Sequence, residues 1–128
     1  LRLRLGKGEK SAPIRIDGVE IRPYVHELYR HFAACDLAIV QGGLTTTMEL
    51  TANRRPFLYF PLRHHFEQTF HVRHRLERYD AGRPMDYDSA TPEIIAAAIA
   101  SEIGTEPPYR SVERDGAERA ARMISELL

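Results

Sequence analysis

Cysteine is scarce in this sequence. Its single copy, Cys35, sits inside an apolar stretch, so no disulfide can close within the chain and zinc patterns built on paired cysteines are excluded. One unpaired thiol points to a reducing, cytoplasmic setting. Long hydrophobic runs are also missing: none approaches the length that crosses a bilayer, and the opening LRLRLGKGEK lacks the apolar core of a signal peptide. Nor is there an excess of either charge. Lys plus Arg number 18 and Asp plus Glu number 18, with a pI near 7.2, so nothing draws the whole chain towards nucleic acid or anionic lipid. Any ligand has to be selected locally. A neutral total is still compatible with one basic face, so peripheral membrane contact stays open.

What is present is 128 residues, 43% hydrophobic and 28% charged, which suits one soluble domain with a modest core and no second complete domain. LRLRL alternates like a strand, but GKGEKSAP after it is turn-rich, and residues 1–18 form a poorly defined N-terminal segment. Asp17-Gly18 predicts a hairpin turn, with VEIRPYV as the better strand and Pro23 marking an edge or end. Leu28, Phe32 and Cys35 have helical spacing, and DLAIVQ reads as a buried parallel strand.

Further along, Leu44, Met48 and Leu50 fit a short buried helix, and PFLYFPL is a second buried strand bracketed by prolines. FEQTFHVRHRLERYDA, with Phe66, Phe70 and Leu76 as its apolar side, predicts an amphipathic helix stopping at Ala81-Gly82. GRPMDY is a short strand. TPEIIAAAIASEIG is a helix with a Thr cap and a Gly stop, and SVERDGAERAARMISELL closes the chain as a polar-faced helix. Helices alternating with short apolar strands predict an α/β fold: a mainly parallel sheet with helices on both faces.

Ligands of such sheets bind at the carboxyl ends of the strands. Gln41 to Thr47 and Leu62 to Gln68 each follow a buried strand and so share one rim. In IVQGGLTTTMEL the strand breaks into Gly42-Gly43 and then a helix. Glycines let backbone N–H groups approach an oxyanion, and a helix start favours negative charge, so phosphate is the first ligand to consider. A plain strand-to-helix turn uses the same residues.

The stretch QGGLTTTMELTANRRPFLYFPLRHHFEQ resembles the donor-binding segment of GT-B glycosyltransferases, in particular UDP-sugar transferases and the N-acetylglucosamine transferase of peptidoglycan-precursor synthesis. There a strand ends in His-Gly-Gly, a Ser/Thr-rich helix start leads to a Glu, and a second strand ends in Pro followed by an acidic residue and Gln. The likeness runs from about Val19 to Met85, and the order of parts carries it: YVHEL, ACDLAIV, GGLTTTMEL, FPL and EQ. It implies a Rossmann-like GT-B domain over residues 19–128 that holds a nucleotide-sugar, with uracil as the favoured base.

Carried over by position, Gly42, Gly43, Thr45, Thr46 and Thr47 resemble the diphosphate cradle. Glu49 resembles the ribose-binding carboxylate, since a carboxylate can accept two vicinal hydroxyls. Gln41, Glu67 and Gln68 match positions beside the transferred sugar, and Tyr24, Val25 and Glu27 the stretch beside the base. The threonines could equally cap the helix, Glu49 could pair with Arg54 or Arg55, and Tyr24 and Glu27 could be a core tyrosine and a helix-start residue. Gln41 stands where the family has His, so a proton-carrying role is lost there. His64 and His65 stand near these positions in the sequence but are not assigned to the sugar. No catalytic base is assigned, because in inverting members it comes from the acceptor-side domain. The resemblance thus implies a donor-binding half that works with an acceptor-binding domain or subunit, with no metal and no cofactor beyond the nucleotide-sugar.

Two other readings compete. Glu67, His71 and His74 share one face of an α-helix started at Phe66, a spacing able to bind zinc in a metal-dependent hydrolase, or merely to make a solvated basic face. Alternatively the chain is a non-catalytic module docking through its last helix, where MISELL gives an apolar stripe but no heptads.

Overall fold

The computed structural model describes residues 16–127, so the LRLRL reading lies outside the described residues. Three short strands form the sheet: β1 (Ala38–Val40), β2 (Phe57–Tyr59) and β3 (Arg83–Pro84). All pairs are parallel, in the order β1-β2-β3, with Ile39 opposite Leu58 and Tyr59 opposite Pro84. Helices α1 (Leu28–Ala34) and α2 (Leu44–Ala52) flank β1 in sequence. A wide π-helical segment, Glu67–Val72, runs directly into α3 (Arg73–Tyr79) between β2 and β3, and α4 (Pro92–Glu102) and α5 (Gly116–Ser125) follow. This is the parallel, helix-covered α/β architecture of a Rossmann-like domain.

Strand alternation divides the core. Phe57 and Tyr59 of β2 point to one face, where Phe32 of α1, Leu50 of α2 and Val72 and Leu76 of the third helical element close over them. Leu58 points to the other, against Ala98 of α4 and Met85. The three consecutive β2 residues are all essentially buried, which is why the sequence shows a continuous apolar run there. Gly82 has φ +68 and sits on the Phe57 ring, where an added Cβ would lie 2.3 Å from Cε2; only glycine fits. Burial pushes the Tyr59 and Tyr109 hydroxyls above their ordinary range, keeping these core phenols neutral.

Several expectations are corrected. The Asp17-Gly18 turn forms, with the Val19 N–H donating to Ile16 O at 3.0 Å, but the stretch after it pairs with no described strand. DLAIVQ is a strand but not a fully buried one: Ile39 is half open because β1 is the edge of the described sheet, and α4 lies over β2 rather than over it. The helix after residue 66 buries Gln68, Val72 and Leu76, a stripe of step four, and turns Phe66 and Phe70 outwards. It also ends earlier than Ala81-Gly82, at Asp80 in the left-handed region with φ 51. α4 matches its reading, with the Ile94 N–H donating to the Thr91 hydroxyl. No described helix is long and apolar enough to cross a membrane.

Candidate functional site

The Phe60 N–H donates to Val40 O at 2.9 Å, extending the parallel ladder to the carboxyl ends of β1 and β2, where two loops meet. Gly42 is the joint. Its φ of +99 is left-handed, and a Cβ on it would lie 3.4 Å from Tyr59 Cδ2 and 3.5 Å from Pro61 Cα. Glycine is therefore required here by the fold, and its small size lets the loop carrying Gln41 to Gly43 touch the loop that leads to Glu67.

Gly43 differs. It caps α2 with an ordinary extended backbone (φ −67, ψ 141), and a Cβ on it would meet nothing within 4 Å. The fold does not demand glycine at 43. The first bond of α2 runs from the Thr47 N–H to Gly43 O, so the N–H groups of the preceding turn have no helical carbonyl to donate to. No side chain caps them, and the first turn contains no acidic residue. The result is an open set of backbone donors at the positive end of a helix dipole, aimed at the rim.

The three threonines separate. Thr45 is exposed and Thr46 half-buried at the helix start, whereas Thr47 is fully buried and its hydroxyl donates within its own helix, to Gly43 O at 3.0 Å and Leu44 O at 3.1 Å. The hydroxyl of Thr47 is thus removed from the cradle. Glu49, half-buried on α2, makes no carboxylate hydrogen bond or ion pair among the described residues. The Arg54 alternative does not form: Arg54 donates instead to Tyr109 O and Pro107 O, at 3.2 and 3.3 Å, and ties down the C-terminal segment. Nor does Arg55 pair with Glu49.

On the second loop, Gln68 is buried and its Oε1 accepts from the Leu62 N–H at 3.1 Å. Its carboxamide oxygen thereby pins the loop to the helix start and leaves Glu67 exposed at the rim. Gln41 is exposed. Before α1, Tyr24 is 74% exposed, so it is no core tyrosine, and Val25 is half-buried. Glu27 starts the helix in a left-handed conformation, its carboxylate accepting from the Tyr29 hydroxyl at 2.9 Å and pairing with Arg30 Nε at 3.1 Å.

Past the second loop lies a pocket of about 410 Å³ walled by Phe60, Pro61, Leu62, Arg63, His64, Tyr87 and Asp88. Arg63 bridges to Asp88, and Phe60 meets Tyr87 edge-on at 6.5 Å. Sequence reasoning missed Tyr87 and Asp88; the signal available was that GRPMDY ends a strand at the same rim.

The metal arrangement does not assemble. Glu67 and His71 lie in the π-helical segment, whose wider turn breaks the α-helical spacing, and the His71 ring packs edge-on against Phe66 and Phe70 at 5.2 and 5.5 Å. Among the described residues, no three His, Cys, Asp or Glu side chains converge as a metal site.

Comparison with curated proteins gives no match. The family model described as glycosyltransferase family 28 C-terminal domain matches residues 5–127, nearly the whole chain. The open helix start, the glycine joint and the rim loops thus belong to a known frame, and the chain is a member of the glycosyltransferase family 28 C-terminal domain family, the donor-binding domain of GT-B glycosyltransferases.

Proposed function

We propose that the chain binds a UDP-sugar and presents its hexosyl group for transfer to an acceptor held outside the described residues. The observation that carries this reading is the uncapped start of α2. Gly43 is a glycine that the fold does not require, and with no side chain at this N-cap position the N–H groups of the first turn are left without a side-chain cap. Those donors hold the diphosphate, with the Thr45 and Thr46 hydroxyls beside them. As the sugar leaves, negative charge grows on the diphosphate, and fixed donors stabilise it without reorganising.

Glu49, with no described partner of its own, accepts the ribose hydroxyls, and Tyr24 and Val25 line the base. Glu67 and Gln41 meet the sugar hydroxyls at the rim. Gln68 contributes chiefly by fixing the loop that carries Glu67. No residue of this chain is assigned as the general base.

Gly43→Asp tests the reading in two opposed readouts. Aspartate is a strong N-cap and adds negative charge to the helix start, so thermal stability rises by a few tenths of a kcal/mol up to about 1 kcal/mol. The same carboxylate occupies and repels the diphosphate, so UDP binding falls at least about tenfold. A more stable variant that binds UDP unchanged refutes the cradle.

A further inference from the structure

The loop between β2 and the third helical element is held at three points. Pro61 packs against the Gly42 joint, and the Leu62 N–H is bound by Gln68. The third hold reaches outside the rim site. The His65 N–H donates to Leu62 O at 3.1 Å, which puts Arg63 and His64 at the centre of a turn. His64 has no described side-chain partner, whereas Arg63 Nη2 bridges to the Asp88 carboxylate, with Asp86 Oδ1 3.9 Å away.

The partner is itself prepared. Asp86 folds the turn after β3 on itself, its Oδ1 accepting from the Asp88 N–H at 3.3 Å and its Oδ2 from the Ser89 hydroxyl at 3.2 Å. The Met85 N–H donates to Tyr59 O at 2.8 Å, so this turn leaves the same ladder as the loop it meets. The loops after β1, β2 and β3 are thereby joined in a row, Gly42 to Pro61 and Arg63 to Asp88. An ion pair as exposed as this one adds little to stability. What it fixes is position: the turn it holds leads directly to Glu67, whose carboxylate has no described partner.

We propose that Arg63, held by Asp88, is a positioning residue for the donor: the pair sets the loop so that Glu67 meets the hydroxyls of the hexosyl group. This rests on the nucleotide-sugar reading above. A loop ordered in advance need not be ordered on binding, which favours the ligand that uses it. Diphosphate and ribose are held by α2 and its start, so the pair contributes to the sugar's share of the affinity and not to that of UDP. Arg63 acts through Asp88 rather than on the ligand, because the carboxylate already engages its guanidinium.

The test compares affinities for UDP, UDP-glucose and UDP-N-acetylglucosamine by calorimetry. It uses the parent chain, Arg63→Ala, Asp88→Ala, the double alanine variant and the exchanged pair Arg63→Asp/Asp88→Arg. Each single variant should weaken the better-bound nucleotide-sugar about two- to fivefold, the scale of an exposed ion pair, with UDP affinity and melting temperature unchanged. The double variant should be no worse than either single one, and the exchanged pair should regain most of the loss. Unchanged nucleotide-sugar affinity in both single variants overturns the inference, as does an equal loss for UDP, which would make the pair a support for the whole site. A loss in Arg63→Ala with none in Asp88→Ala also overturns it, since Arg63 would then touch the ligand itself. A parent chain that binds neither UDP nor a nucleotide-sugar fails the reading beneath the inference; UDP binding with sugar affinities indifferent to the pair fails the inference alone.

Discussion

Gly42 and Gly43 are neighbours with different reasons to be glycine; the sequence offered an anion site and a plain turn for the pair, but not which residue serves which. A left-handed φ and the contact with Tyr59 and Pro61 explain Gly42, while Gly43 sits in unobstructed space with an ordinary backbone. The threonines were likewise indistinguishable in sequence, because burial depends on which side of α2 meets Leu50 and the sheet. Thr47 falls inside and spends its hydroxyl on its own helix; Thr45 stays out. Glu49 was matched to the ribose-binding carboxylate by the resemblance alone, and its structural alternative, a pair with Arg54 or Arg55, does not form. Lacking a described partner, its side chain can be truncated without orphaning another buried group. Glu49→Ala should therefore weaken UDP binding by about 1–3 kcal/mol, the range for losing a charged hydrogen-bond acceptor, with the melting temperature nearly unchanged. Titration of the folded variant checks this, and parental affinity would reject the ribose role.

Helices and strands were read mostly where they occur, because apolar runs and caps are local signals. β2 announced itself through PFLYFPL, and α4 through Thr91 and Gly104. The third helical element was read with the wrong face inward. Phe66 and Phe70 carry more apolar area than Gln68 and Val72, so hydropathy points to them; yet a buried glutamine whose oxygen receives the Leu62 N–H fits the inner stripe without an unmet polar group. The π-helical turn has no residue signature and was not legible at all. α5 shows a different gap: its polar and apolar sides were evident, but none of its residues is buried, and Met123 and Ile124 are 67% and 60% exposed. Few buried contacts mean low local stability. Amide exchange should be fast throughout α5 and slowest in β2; protection in α5 equal to that of β2 would show a packing partner for that helix.

At the scale of the whole molecule, the parallel sheet was predictable because alternation of helix and strand leaves few topologies. The sheet brings the ends of β1 and β2 together, and with them two loops separated in sequence, which is what makes a rim site from residues 41–49 and 61–68. The openness of β1, by contrast, depends on what lies over it and could not be read from DLAIVQ. Membership of glycosyltransferase family 28 C-terminal domains fixes the donor-binding role of this frame; its nucleotide is a separate matter. Calorimetric titration of the chain with UDP, with GDP in parallel and EDTA present throughout, tests that central claim most directly. Saturable binding of UDP, at least about tenfold tighter than GDP and unaffected by EDTA, is the predicted result. Equal affinity for the two nucleotides, or binding of UDP that disappears with EDTA, would contradict it.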